Sequence, residues 1–562
     1  MRTARGWLTL LGLIGVLGAC GAPGGSAGPA TTTAPEAAAP ANTTPTGRLA
    51  VALSSLGSNE IYLPWLDTAR ESWIVQGAVY EFLVYTNVGT GTVEPGLAER
   101  WEMEDGGRQW RFFLRQGIPF QDGQGELTAD DVKYSAEMVV GDHSVTFAKP
   151  VLQEMIDQVE VVGPYEVVFH LKQPIVTFLG YLTDLQGMLG IASKRYVEAV
   201  GEKEAAAHPI GTGPFRLVEY KRQQSVTLEA VDGHWRRTPR FRTVVLRRVT
   251  DPAARLAMLR SGDVDVAEIP FKLKREAEAV GLGFLRSDAA AIYHVHLGGQ
   301  VLPSRDTFDP TVPWVGDPRD PASQERALKV RQALDLAVDK QAIVNSVFEG
   351  EGVPSAYPWV VPGSEFVPPD VVPSPYDPER ARQLLAEAGY PEGFGHEIEM
   401  YLVPFPGRGE MVDVGEAVAG YWERNLGLQV RRVPAEWATF APQKERPRKM
   451  AWATWAYGAI PRPSAEPAIT MVSWLTSKSP NNTIAETPKL DELYGRIVTE
   501  PDRAKRVQFY RELGELIHDQ HYVVPIAAVP GLYAINSKAV ASWPLAPGEP
   551  YIHGYENAVP AR

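Results

Sequence analysis

A mixed α/β fold divided into at least two domains is what this sequence predicts, on three observations. Apolar residues recur with helical spacing in some segments and alternate with polar ones in others, and the two patterns are mixed throughout the chain. The chain has 562 residues; even without a cleaved leader it exceeds the roughly 250 to 300 at which one hydrophobic core stops growing. Beyond its first residues, no segment is apolar and long enough to span a bilayer.

The elements follow in chain order. Arg2 and Arg5 precede an apolar run from Trp7 to Ala19, shorter than the roughly 20 residues a membrane-spanning helix needs, so residues 1–19 read as a secretory signal. Leu17-Gly18-Ala19-Cys20 resembles the lipobox of bacterial lipoproteins, which implies cleavage before Cys20 and lipidation of its thiol. Cys20 is the only cysteine, so no disulfide forms within the chain. The alternative, an unpaired core cysteine, does not explain its place directly after small residues. From Cys20 to residue 47 runs a flexible linker of Ala, Gly, Pro, Ser and Thr with one acid, Glu36.

Thr128 with Asp131 three residues on resembles a capping box that opens a helix. Val159-Glu160-Val161-Val162 and Tyr165 to Leu171, joined through Gly163-Pro164, read as a hairpin. Val330, Leu334, Ala337 and Val338 form an apolar helical stripe. Asp339 caps the next helix, which carries Ile343, Val344 and Val347 toward Gly350. Asp377-Pro378 supplies an N-cap and a first-turn proline, after which Ala381, Leu384, Leu385 and Ala388 repeat before a glycine stop at Gly389.

Charge and motifs exclude several functions. The formal charge of -13 and pI near 5.4 argue against nucleic acid, whose phosphates are met by clustered Lys and Arg. Gly24-Gly25-Ser26-Ala27-Gly28 spells a nucleophile elbow but lies in the linker, outside any strand-turn-helix context. There is no Cys-x-x-Cys and no His-Glu-x-x-His; His396-Glu397 lacks the second histidine. Gly211-Thr212-Gly213-Pro214 is not a phosphate loop: no Gly-Lys-Ser/Thr follows, and Arg216 stands at the third glycine of a dinucleotide fingerprint. Its glycines are expected to permit unusual backbone angles. His294-x-His296 offers either a metal pair on one strand face or two polar residues on a half-exposed strand. No cofactor and no catalytic residue is expected.

Several segments in fixed order carry a resemblance. Leu97-Ala98-Glu99-Arg100-Trp101-Glu102, Trp110 to Gly117, Phe120-Gln121-Asp122-Gly123 and Leu127 to Val132 come first. His208-Pro209-Ile210-Gly211-Thr212-Gly213-Pro214-Phe215, Ser261-Gly262-Asp263-Val264-Asp265, Val330 to Lys340 and Ala381 to Tyr390 follow. Over about residues 48 to 540 the chain resembles the bacterial extracellular solute-binding proteins of family 5, the peptide/nickel type that feeds ABC importers. The resemblance implies a two-lobed, periplasmic-binding-protein-like fold with an inserted domain. Lobe I would comprise 48–80, 210–290 and 525–562; the inserted domain, 81–209; lobe II, 291–524. It further implies hinge closure on a ligand, an extracytoplasmic place at the membrane, a monomer, and permease and ATPase partners.

The binding site is expected in the C-terminal half. Trp437, Trp452, Trp455, Tyr457 and Trp474 fall within 38 residues, a density suited to a bulky ligand. Core packing is the competing reading for each ring, while Gly458, Arg462 and Ser464 favour a cleft loop around Trp455 and Tyr457. In peptide-binding relatives a tryptophan is followed three positions later by an aspartate that pairs with the peptide amine. Here Gly458 follows Trp455, and Arg462-Pro463 or Glu466-Pro467 stands where Asp-Pro is usual. Arg408, in Val403-Pro404-Phe405-Pro406-Gly407-Arg408, resembles the arginine that some relatives aim at a carboxylate, with a spacing that differs by one; a solvated loop arginine is the alternative. The expected function is capture of an oligopeptide or similar organic solute for an importer. The alternatives are a nickel-chelate, opine or sugar receptor, or a secreted hydrolase or sensor on the same fold.

Overall fold

The longest strands are Gly283–Leu297 and Val523–Ile535; the second is a near-continuous apolar run, and the first is buried on both faces from Ala290 to Leu297, as central strands are. They were seen in a computed structural model that describes residues 44–561 except 58–59, 69–71, 88–91, 406–407, 438, 441–450, 462–466, 468, 470–474, 478–483, 547 and 550. The fold is mixed α/β. The two strands pair antiparallel in the middle of an eleven-stranded sheet. On one side follow Ala453–Ala459, Ile398–Leu402 and Val430–Pro434; on the other, Val266–Glu268, Thr46–Leu53, Phe241–Arg248, Ser225–Ala230 and Phe215–Lys221. The pairing register shifts between Ser287 and Ala291, and Ala289 there holds a left-handed φ of 48°.

Burial divides this sheet into two parts. Leu49, Val51 and Leu53 enter a cluster with Trp110, Phe169, Phe215 and Tyr555. Ala50 and Ala52, on the other face of the same strand, pack under Leu256 and Leu259 of the helix Pro252–Ser261. Val295, Trp314, Leu334, Met400, Trp422 and Val524 belong to a second large cluster. A separate four-stranded antiparallel sheet is built from Ala98–Glu104, Gln109–Leu114, Glu166–Leu171 and Ile156–Gly163.

The local signals are realised where the sequence places them. Ala129–Val140 opens with Asp131 accepting from the Thr128 amide at 2.9 Å and hydroxyl at 3.0 Å. The hairpin turns through Gly163-Pro164. Asp339 caps Lys340–Val347 by accepting from the Ala342 amide, and Asp377 caps Pro378–Glu387 through the Arg380 amide, each at 2.9 Å. Gly389 stops that helix at φ 95°.

Two expectations are corrected. Gly211 and Gly213 do not hold unusual backbone angles; they permit close approach. A Cβ on Gly211 would lie 2.1 Å from the Val79 carbonyl oxygen, and one on Gly213 2.5 Å from that of Ala78. Between them Thr212 donates to Glu81 at 2.9 Å, so this run is pinned to the segment Ala78–Glu81. His294 and His296 share a strand face, but it is fully buried rather than half exposed. Their Nε2 atoms meet at 3.0 Å, one donating and the other accepting. Burial lowers the His294 pKa to about 3, which keeps that ring neutral.

Candidate functional site

Tyr293, Phe405 and Tyr551 meet at a cavity of about 700 Å³, within the range of small-molecule sites. One side is the C-terminal end of the strand Thr46–Leu53, with Ser54, Arg255 and Glu268. The opposite side comprises Tyr293, Phe405 and the start of the helix Glu410–Leu426. The floor is the long pair at Ala291 and Val529–Tyr533, and Tyr551 closes one end. Strand ends and a helix start converge here because neighbouring strands of opposite sense leave a crevice between their connections.

Polar groups on the first side are mutually satisfied. Glu268 accepts from the Ser54 amide and hydroxyl, both at 2.8 Å. Arg255 donates to the backbone oxygens of Glu268 at 2.5 Å, Val249 at 2.6 Å and Thr250 at 3.1 Å. On the far side Glu410 is 8% exposed. It accepts at 3.5 Å from the Phe271 amide and at 3.4 Å from the Tyr293 hydroxyl, and burial pushes its carboxyl above the usual range. The Tyr293 phenol is driven well above its ordinary value by burial and by Glu410, so it stays neutral.

The residues singled out from sequence form the layer behind this wall. Arg408 is 3% exposed; it donates to the Gly458 carbonyl at 2.5 Å and to the Tyr551 hydroxyl at 3.3 Å. Its carbon Cζ lies 4.8 Å from the Phe405 ring centre and 5.8 Å from that of Tyr457. Trp455, Tyr457 and Gly458 sit on the strand Ala453–Ala459, which is buried at every position. Trp455 stacks on His296 with ring centres 4.9 Å apart, and Tyr457 is stacked with Trp437 at 6.2 Å. A Cβ on Gly458 would lie 3.1 Å from Arg408 Cδ and 3.2 Å from Tyr293 Cζ. The structure thus brings Arg408, Tyr457 and Gly458 together, with Tyr293 and Tyr551 between them and the cavity. Arg462, Trp474 and Cys20 lie outside the described residues.

Sequence reasoning missed the lining itself. Glu268, Tyr293, Glu410 and Tyr551 are scattered across most of the chain and stand in none of the runs singled out, while Phe405 lies in the run Val403–Arg408 that drew attention only for its arginine. Among the described residues no group of three His, Cys, Asp or Glu is placed to hold a metal ion.

A family model described as bacterial extracellular solute-binding proteins, family 5 middle, matches residues 92–479. The dipeptide-binding protein of Escherichia coli (strain K12) is 28% identical over 497 residues, covering 84% of this chain and 88% of its own length. Heme-binding protein A of Haemophilus influenzae is 27% identical over 483 residues, 82% of this chain and 83% of its own. Among solved structures, the ABC transporter-associated periplasmic binding protein DppA of Helicobacter pylori, in complex with the peptide STSA, superposes with a TM-score of 0.73. It is 20% identical, and the match covers 92% of this chain and 98% of that one.

Proposed function

From the premise that this chain belongs to the bacterial extracellular solute-binding proteins of family 5, binding proteins rather than enzymes, we propose that it is a lipid-anchored receptor of an ABC importer. It captures an oligopeptide or an organic solute of similar size and passes it to the permease and ATPase. The observation that carries this reading is the cavity of about 700 Å³ with polar groups and aromatic rings converging from both large buried clusters. Relatives named for a dipeptide and for heme support capture of an organic solute without choosing one.

The first cluster draws on residues 49–285 and 533–558 together with Ile469, and the second on 271–529. That split supports two lobes, 48–80 with 210–290 and 525–562, and 291–524; residues 81–209 share the first cluster, and their reading as an inserted domain is supported instead by their separate four-stranded sheet. Ligand between the lobes favours closure only through the extra contacts it makes there, so affinity and closure are coupled. Arg408, Tyr457 and Gly458 support the wall that faces the ligand. Cys20 carries the anchor, motivated by the lipobox-like run before it; several acyl chains hold stably where one does not.

Native mass spectrometry of gently purified protein tests the receptor: a bound solute is expected, lost after unfolding and refolding and regained from cell extract. Protein that never carries or regains a solute overturns it. For the anchor, Cys20→Ala is expected to leave the membrane fraction; if it still sediments with membranes after a high-salt wash, the anchor assignment fails.

A further inference from the structure

Charge is unevenly spread along this acidic chain. From Pro214 to Arg248 nine Lys or Arg stand against three Asp or Glu, while the chain as a whole carries -13. These residues form the strands Phe215–Lys221, Ser225–Ala230 and Phe241–Arg248 at one end of the large sheet, with Thr46–Leu53 beside them. Val226, Leu228, Val244 and Leu246 turn one face of the three strands into the first cluster. On the other face Ala50 and Ala52 of the adjoining strand lie under the helix Pro252–Ser261, whereas Ser225, Thr227, Thr243, Val245 and Arg247 stay partly exposed.

Ion pairs account for part of the excess. Arg216 meets Glu229 at 2.6 Å, Lys221 meets Glu219 at 2.9 Å, Arg242 meets Asp232 at 2.7 Å and Arg236 meets the buried Glu81 at 2.9 Å. Among the described residues Arg222, Arg237, Arg240, Arg247 and Arg248 are in no ion pair, and neither is Arg48 on the strand alongside. Arg48, Arg222, Arg237 and Arg240 are exposed, and Arg248 donates to the neutral Gln223 at 2.8 Å. From Arg240, before the start of its strand, to Arg248, at the end, is about 26 Å at roughly 3.3 Å per residue. One small anion cannot span such a spread, but a planar array of phosphates can.

The chain itself brings such an array near. The Thr46 amide donates to the Arg240 carbonyl at 2.8 Å, and Arg48 lies opposite Thr243, so the first strand starts at the edge of this basic face. Residues 21–45 separate that strand from Cys20, and a coil of such length has a root-mean-square span of about 25 to 30 Å. We infer that the uncovered face of Phe215–Lys221, Ser225–Ala230 and Phe241–Arg248, together with Arg48, rests on the anionic headgroups of the membrane that carries the anchor. The attraction adds with each guanidinium and fades within a Debye length, about 10 Å at 0.1 M salt. The same surface repels the acidic remainder of the chain, so the contact sets the orientation of the protein as well as its distance. This docking rests on the lipid-anchor reading for its nearness to a membrane, not for its chemistry.

Flotation with lipid vesicles tests it on the mature chain carrying Cys20→Ala, so that no acyl chain contributes. In about 0.1 M salt, binding to phosphatidylcholine vesicles that contain about one-third phosphatidylglycerol is expected to exceed binding to pure phosphatidylcholine at least tenfold, and to vanish at about 0.5 M salt. Arg48→Glu with Arg240→Glu and Arg247→Glu should lower it at least tenfold. Arg380→Glu with Arg382→Glu and Arg424→Glu makes the same change in net charge at exposed positions on other elements and should leave it within twofold. If the first triple variant does not fold, Arg222→Gln with Arg237→Gln, both between strands, should still weaken binding severalfold. No preference for the anionic vesicles, or equal losses in the basic-face and control variants, overturns the inference. So does binding to native membrane vesicles that protease treatment of those vesicles abolishes, which would give the face to a protein partner. A high-salt wash strips this contact but not an acyl chain, so the anchor reading stands or falls separately.

Discussion

Glu81 is a fully buried carboxylate that receives the Trp235 indole at 2.6 Å, the Arg236 guanidinium at 2.9 Å and the Thr212 hydroxyl at 2.9 Å. Burial alone would raise its pKa, but His234 and Arg236 bring it down to about 2 from an ordinary 4.5. A depressed pKa contributes stability that is fully present above pH 4.5 and lost as pH falls from there toward 2, roughly 3 kcal/mol in all. Glu81→Gln is therefore expected to be less stable than the parent by about that much at pH 7, with the gap narrowing to about 1 kcal/mol by pH 2.5 in urea titrations. An equal gap at both values would remove the charge account. Gly458 makes a second test at this scale. Its missing side chain leaves room that Arg408 and Tyr293 occupy, so Gly458→Asp should pair its new carboxylate with Arg408 rather than with a ligand. Calorimetry with a tripeptide before and after N-terminal acetylation is expected to show no added dependence on the free amine in the variant. A gain of tenfold or more that acetylation abolishes would mean that the position still faces the ligand.

Asp335, 1% exposed, ties three helices together at the edge of the second cluster. From the end of Pro321–Leu336 it reaches Lys340 Nζ at 2.7 Å, at the start of Lys340–Val347, and His521 Nδ1 at 2.9 Å, just past Arg503–Gln520. The Ser374 hydroxyl donates to it at 2.6 Å. Removing one partner of such a buried network strands the other charge, at a cost of about 3 to 5 kcal/mol. Asp335→Ala is expected to lose that much in denaturant titration, and a loss below about 1 kcal/mol would show that water replaces the carboxylate. The caps at Asp339 and Asp377 were visible as local sequence signals. The Asp335 network was not, because His521 and Ser374 come to it from distant parts of the chain.

Over the whole molecule, the segment Ile175–Tyr181 meets the helix Pro488–Thr499. The Val176 amide donates to the Val498 carbonyl at 2.9 Å, and the hydroxyls of Tyr181 and Tyr494 lie 3.4 Å apart. Gly180 packs so tightly that a Cβ would sit 1.9 Å from Ile469 Cδ1. On the proposed two-lobed reading this contact joins the inserted domain to lobe II and would break on opening, while the long strand pair carries its register shift around Ala289. Gly180→Val is expected to favour the open form, seen as a larger radius of gyration by X-ray scattering with ligand present. Its affinity should fall severalfold, in proportion to the fraction of closed protein lost. Unchanged scattering and affinity would remove this contact from the closing motion.

Periodicity, caps and turn residues determined the fold class and the main helices from sequence alone, because backbone geometry and one-sided burial repeat along the chain at fixed spacings. The ordered motifs likewise carried the family, since each is a short run of adjacent residues. Tertiary structure decided what those residues do. Only the packing of Gly211 and Gly213 against Val79 and Ala78 shows that they allow close approach rather than unusual angles, and only pairing across the sheet buries His294 and His296. It also put Arg408 behind the cavity wall and Glu410 on it, although the two are neighbours in sequence. A cavity is enclosed by residues that long-range pairing makes adjacent, from Ser54 to Tyr551 here, and no local pattern records that adjacency.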